Sequence, residues 1–147
     1  MKDLSKLPKL MSSLLEGESD VIANMANASA LIFDVVPDIN WAGFYFVKGD
    51  ELVLGPFQGK PACVRLKNGK GVCWAAVVKG ETVVVGDVHE FAGHIACDSA
   101  SRSEIVVPMR KNGEVFAVLD VDSPTLNRFD ELKEIIEKTA REIEKTL

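Results

Sequence analysis

Three thiols, Cys63, Cys73 and Cys97, and three carboxylates, Glu104, Asp120 and Asp122, are the residues of this chain whose types and placement could do chemistry. Cys97 lies in His94-Ile95-Ala96-Cys97-Asp98-Ser99. A thiol in such a polar, small-residue loop beside a histidine can be exposed and partly ionised, as nucleophilic sulfur chemistry requires. Cys97 is therefore the candidate nucleophile, against the plain alternative of a buried, inert small hydrophobe. Cys73 falls near the start of a predicted short helix, where the helix dipole favours a thiolate. Its neighbours Val72 and Trp74 fit core packing equally well, and the residues alone place it in the core. Strand alternation puts Asp120 and Asp122 on one face, about 6–7 Å apart, at the end of an otherwise apolar run. Acids so placed repel and raise at least one pKa, which makes a proton donor near neutrality. Glu104 begins the strand expected to pair nearby. The alternative is that both aspartates mark the strand's exit into solvent at Ser123-Pro124, and periodicity leaves the two readings open.

Other groupings carry less. His89, His94 and Cys97, with Cys63 or Cys73, could supply four zinc ligands. The chain has neither a Cys-x-x-Cys pair nor a His-Glu-x-x-His helix, so no metal and no other cofactor is expected. Gly55-Pro56-Phe57-Gln58-Gly59-Lys60-Pro61 lacks one spacer residue of a phosphate loop and has Pro61 in place of its hydroxyl residue, and is read as a turn. Trp41 and Tyr45 share strand parity and can line one side of a pocket, or simply belong to an aromatic core.

The elements that must position these residues follow from hydrophobic periodicity. Leu4, Leu7, Leu10, Met11, Leu14 and Leu15 recur at helical spacing, with Pro8 in the opening turn and Gly17 at the end. Ser19 is the expected cap of a second helix, which Pro37 stops. Trp41 to Val47 and Glu51 to Leu54 then read as a hairpin joined by Lys48-Gly49-Asp50. Ala62 to Leu66 can be a strand, Val72 to Lys79 a short helix and Thr82 to Gly86 another strand. Residues 87–103 form a loop that is long for a compact domain and holds both histidines and Cys97, which points to a functional segment. Glu104 to Arg110 and Glu114 to Asp122 flank Lys111-Asn112-Gly113, whose Asn-Gly pair predicts an antiparallel hairpin. Asp130 is the expected cap of a last amphipathic helix. Helices at both ends of a mostly antiparallel sheet make an α+β domain spanning residues 1–147.

Composition sets the class. With 17 basic and 22 acidic residues, the chain has no electrostatic reason to bind nucleic acid. No apolar stretch approaches the roughly 20 residues that cross a bilayer, and the first residues lack an apolar signal core. A cytoplasmic setting without membrane contact is expected. An odd count of three cysteines there reads as working thiols rather than structural staples.

Several longer motifs, in order, carry a resemblance. Asn40-Trp41-Ala42-Gly43-Phe44-Tyr45, Leu54-Gly55-Pro56-Phe57-Gln58-Gly59-Lys60-Pro61-Ala62-Cys63, Gly69-Lys70-Gly71-Val72-Cys73, Gly93-His94-Ile95-Ala96-Cys97-Asp98-Ser99, Ser103-Glu104-Ile105-Val106 and Leu119-Asp120-Val121-Asp122-Ser123-Pro124 closely resemble the free methionine-(R)-sulfoxide reductases, which are GAF-domain enzymes. The resemblance covers nearly all of the chain after about residue 20. It implies a GAF-like fold that often assembles as a homodimer. It also implies that Cys97 attacks the sulfoxide sulfur while Glu104, Asp120 and Asp122 bind and protonate its oxygen. Cys63 matches the resolving cysteine, and the counterpart of Cys73 can join thiol exchange. Thioredoxin is the implied reductant. Trp41 and Tyr45 would enclose the methyl-sulfinyl end, and backbone N–H groups at Ile95, Ala96, Cys97 and Asp98 would hold the substrate carboxylate. A non-catalytic small-ligand GAF sensor is the rival reading, and it has no evident use for a nucleophile with two further thiols.

Overall fold

The computed structural model describes residues 3–94 and 98–147. After a short 3-10 turn, α1 (Leu7–Leu15) and α2 (Val21–Val35) precede β1 (Trp41–Lys48), β2 (Glu51–Gly59) and β3 (Arg65–Lys67). Helix α3 (Gly71–Lys79), β4 (Val83–Val85), β5 (Ser103–Lys111), β6 (Glu114–Ser123) and α4 (Lys133–Glu144) follow. The strands form one antiparallel sheet in the order β3-β2-β1-β6-β5-β4. The α+β fold expected from the sequence is the fold found. Among the described residues no helix is long and apolar enough to cross a membrane.

The central strands read as continuous apolar runs because both faces of the sheet are covered. Ala42 and Phe44 of β1, Ile105 and Val107 of β5, and Ala117, Leu119 and Val121 of β6 face α1, α2 and α4, packing with Met11, Met25, Ile32, Phe129, Ile136 and Ile143. The alternate residues Trp41, Tyr45, Val106 and Val118 face the other way and pack with Val72, Cys73 and Trp74 of α3. The period of two thus delivers Glu104, Asp120 and Asp122 to the α3 face, beside the aromatics of β1.

Four local readings are corrected. Asp20, not Ser19, caps α2, its carboxylate accepting the Ala23 N–H at 2.9 Å. The last helix starts at Lys133 without a side-chain cap, because Phe129 and Leu132 are buried and hold the residues around Asp130 in turns. Gly55 to Gly59 is not a turn but the far end of β2, reached through a register shift opposite Gly43 to Tyr45. Pro56 sits at that irregularity, where the missing N–H costs the ladder little. The strand expected at Ala62 to Leu66 is instead Arg65–Lys67, which pairs with β2, so Ala62 and Cys63 lie in irregular chain ahead of it. The Asn112-Gly113 hairpin is as expected, both residues having positive φ, 55° and 83°.

Gly43 is a close-approach position. A Cβ there would collide with the Phe57 side chain and meet the Phe57 Cα at 2.8 Å and the Trp41 ring at 2.9 Å. Since one neighbour is backbone, Gly43→Ala is expected to lower stability by about 1–3 kcal/mol, the usual cost of overpacking. Urea unfolding would check this, and an unchanged midpoint would mean that β2 moves aside freely.

Candidate active site

β6 lies between β1 and β5, and this register assembles the acids. Asp122 is opposite Trp41 on one side and Glu104 on the other, while Asp120 is opposite Gly43 and Val106. All three carboxyl groups are buried, Glu104 and Asp120 at 6% exposure and Asp122 at 9%. The solvent-exit reading of the aspartates is therefore wrong. The three carboxyl groups interact directly with one another in this buried setting. Burial above all, and the like charge of a neighbouring acid next, pushes each of the three well above the ordinary carboxylate range. Among the described residues no lysine or arginine pairs with them. The nearest basic group is His94, whose Nε2 is 3.9 Å from Glu104 Oε1 and whose pKa is lowered, first by burial and then by His89.

One pocket holds this group. Trp41, Tyr45, Cys73, His94, Asp98, Glu104, Asp120 and Asp122 all line it, with Pro61, Ala62, Leu66 and Val72 adding apolar wall. Trp41 stacks on Tyr45 and Phe57, at ring-centre distances of 6.0 and 5.1 Å, so the aromatic side is rigid. The same two side chains tie down the segment after β2: Trp41 Nε1 donates to Lys60 O at 3.2 Å and Tyr45 Oη to Cys63 O at 2.8 Å. Burial first, and the acids and Cys73 after it, raises the Tyr45 pKa, so its hydroxyl remains a donor.

Cys73 is where the core reading placed it, buried with Val72 and Trp74, but it also borders the pocket. Its Sγ donates to Asp120 Oδ2 at 3.6 Å. Burial and then Asp120 raise its pKa well above the ordinary thiol range, so at rest it is a neutral, free thiol. Cys63 is disulfide-bonded. On the far side Asp98 is fixed by Asn40, whose Nδ2 donates to Asp98 Oδ2 and Ser101 Oγ, each at 3.0 Å. Asp98 Oδ1 also accepts the Ala100 N–H at 2.9 Å. Ile95, Ala96 and Cys97 lie outside the described residues, between the pocket-lining His94 and Asp98.

His89 does not join the site. It is an exposed surface residue paired with Asp87 at 3.1 Å, so the zinc set suggested by loop spacing lacks one of its members. His94 as a pocket residue and Asn40 as the clasp of the 98–101 turn were not singled out for those roles by sequence. Both contacts cross between distant segments and leave no periodic signal.

A curled antiparallel sheet with helices on both faces and a pocket under one of them defines a GAF domain, and the GAF domain family pattern matches residues 13–147. The chain is 48% identical over 137 residues to the free methionine-R-sulfoxide reductase of Escherichia coli, covering 92% of this chain and 83% of that protein. It superposes on fRMsr of Staphylococcus aureus in complex with substrate with a TM-score of 0.94, at 49% identity, covering 100% of this chain and 97% of that one. The free methionine-R-sulfoxide reductase of Neisseria meningitidis, in complex with its substrate, gives a TM-score of 0.93 at 43% identity, over 99% of this chain and 91% of that one. This chain belongs to the free methionine-R-sulfoxide reductase family of GAF-domain proteins.

Proposed function

We propose that this protein reduces free L-methionine (R)-sulfoxide to methionine with its own thiols. The observation that carries the reading is the buried group Glu104, Asp120 and Asp122 set against the Trp41–Tyr45 wall in one pocket. A sulfoxide oxygen leaves sulfur only when protonated, and clustered carboxylic acids with raised pKa values supply that proton. Asp120 Oδ1 is buried without a hydrogen-bond partner, an open acceptor for a protonated sulfoxide oxygen or for water leaving the site. The Cys97 thiolate attacks the sulfoxide sulfur, the S–O bond breaks, and oxygen passes to Cys97 as a sulfenic acid while methionine departs. The Cys63 thiol then displaces that oxygen as water and forms a Cys63–Cys97 disulfide. Its support is that Cys63 is disulfide-bonded while Cys73 is free. A thioredoxin-class dithiol restores both thiols by exchange through a mixed disulfide. Cys73 is a reserve partner in that exchange. The backbone around Ile95, Ala96 and Asp98 holds the substrate carboxylate. Residues 1–147 act as one domain in the cytoplasm, paired as a homodimer, as the family likeness suggests.

The test is NADPH consumption with thioredoxin and thioredoxin reductase on the separated epimers of free methionine sulfoxide. Turnover of the R epimer alone supports the reading, and no turnover by a folded, reduced protein favours a ligand sensor. Cys63→Ser is expected to yield about one methionine per chain and then stop, since the sulfenic acid lacks its resolving thiol. A small thiol such as dithiothreitol restores cycling. Unimpaired thioredoxin-driven turnover in this variant would transfer the resolving role to Cys73.

A further inference from the structure

We propose that the reduced pocket is also a binding site for a borderline-soft divalent cation of the zinc class, held by Cys73 Sγ, a Glu104 oxygen and an Asp120 oxygen, and that this ion and the sulfoxide exclude one another. One donor atom from each of these residues lies within 4.8 Å of the other two, and all three residues are buried. The Cys73 Sγ to Asp120 Oδ2 distance is 3.6 Å. Zinc bonds of about 2.3 Å to sulfur and about 2.0–2.2 Å to oxygen, at the tetrahedral angle, give a sulfur–oxygen edge of about 3.5 Å. That pair is already spaced as two ligands of one ion.

A second, independent observation points to a ligand. Asp120 Oδ1 is buried and unpartnered, although Asp120 lines the pocket. These three residues supply three donors and leave a fourth position for water, while His94 Nε2 stands 3.9 Å from Glu104 Oε1 on the pocket wall, beside the ligand group. A thiolate sulfur with two carboxylate oxygens suits zinc, whereas magnesium and calcium take six or more oxygen ligands. No lysine or arginine among the described residues competes for these carboxylates, so a dication meets three acids and a thiol without a resident counter-ion. The ligands differ from the His89-containing set that loop spacing suggests. The ion also acts differently from a cofactor: it occupies the oxygens that must receive the sulfoxide. Only the mutual exclusion rests on the reductase reading; the metal site stands on the geometry.

The experiment titrates the reduced protein with Co²⁺, whose thiolate bond gives a near-ultraviolet charge-transfer band, and then displaces it with Zn²⁺. One Co²⁺ per chain with that band is expected. The band should persist in the double variant C63S/C97S, where Cys73 is the sole thiol, and vanish in Cys73→Ser. Glu104→Gln, checked for folding by circular dichroism, should weaken Zn²⁺ binding at least about tenfold. A band that survives Cys73→Ser, or that disappears in C63S/C97S, overturns the site. In Cys97→Ser, which binds substrate without consuming it, methionine sulfoxide should raise the apparent Zn²⁺ dissociation constant in proportion to its concentration. Equal Zn²⁺ affinity at saturating sulfoxide overturns the exclusion. A protein that binds Co²⁺ through Cys73 yet reduces no sulfoxide leaves the metal site standing and removes the reductase reading instead.

Discussion

Cys97→Ser is expected to abolish thioredoxin-driven reduction of free methionine (R)-sulfoxide, with a fall in kcat/KM of at least about a thousandfold, the scale seen when a covalent catalyst loses its nucleophile. A serine hydroxyl at neutral pH is almost wholly protonated and is a far weaker nucleophile toward sulfur than a thiolate. The other two thiols cannot substitute. Cys73 is buried, and its surroundings hold it in the neutral form. Cys63 sits with its backbone carbonyl bound to Tyr45, in the segment that the aromatics clamp. The acid group stays in place, so the variant should still bind the sulfoxide, as isothermal calorimetry would show. Binding without turnover separates loss of the nucleophile from loss of the pocket. Multiple turnovers by Cys97→Ser, with the protein intact by mass spectrometry, would remove the mechanism.

Asp120→Asn is expected to lower kcat roughly 10²–10⁴-fold, the range for loss of a positioned general acid, and to leave a folded protein. Asp120 is the acid that reaches both Cys73 and the other carboxyls, and asparagine keeps its shape but cannot release a proton. Stability should move the other way. Burial raises the folded-state pKa of Asp120, so the native state keeps a proton that the unfolded chain has already released. The favourable contribution is complete below the unfolded carboxylate pKa of about 4 and is lost as pH rises through the raised folded value. Asparagine does not titrate, so the variant should gain stability relative to the parent on the alkaline side, and the advantage should shrink toward pH about 4. Urea midpoints across that range test the sign. Parallel curves for variant and parent would mean that Asp120 is no more protonated in the folded than in the unfolded chain, and full activity would move the proton donor to Glu104 or Asp122. The parent's activity should likewise fall with rising pH as the acids, whose pKa values burial raises, give up their protons.

Much of the fold and part of the site can be read from residue order because they depend on local physics. Asn112-Gly113 needs positive φ at both positions, and that requirement alone predicts the β5–β6 hairpin. The period of two puts Asp120 and Asp122 on one face whatever the strand packs against, and the antiparallel hairpin brings Glu104 opposite Asp122. That Trp41 and Tyr45 line a pocket was legible from strand parity, and the family from the order of its motifs, while Cys97 lies outside the described residues. Element ends were less legible. Capping by Asp20 instead of Ser19, and the late start of α4 behind Phe129 and Leu132, turn on which side chain finds a partner or a place in the core.

Only tertiary structure decided that β6 also pairs with β1. That pairing sets Trp41 beside Asp122 and leaves Gly43 over Asp120, across about eighty residues of chain. It likewise decided that α3 covers this face, bringing the Cys73 thiol to Asp120 and burying the acids that periodicity could equally have left in solvent. Backbone propensity and side-chain alternation act over a few residues and are written in the order of amino acids. The neighbour of a strand's other edge, and the helix above its face, are chosen by the joint burial of surfaces contributed from distant segments, and the raised pKa values of the acids exist only once that burial is complete.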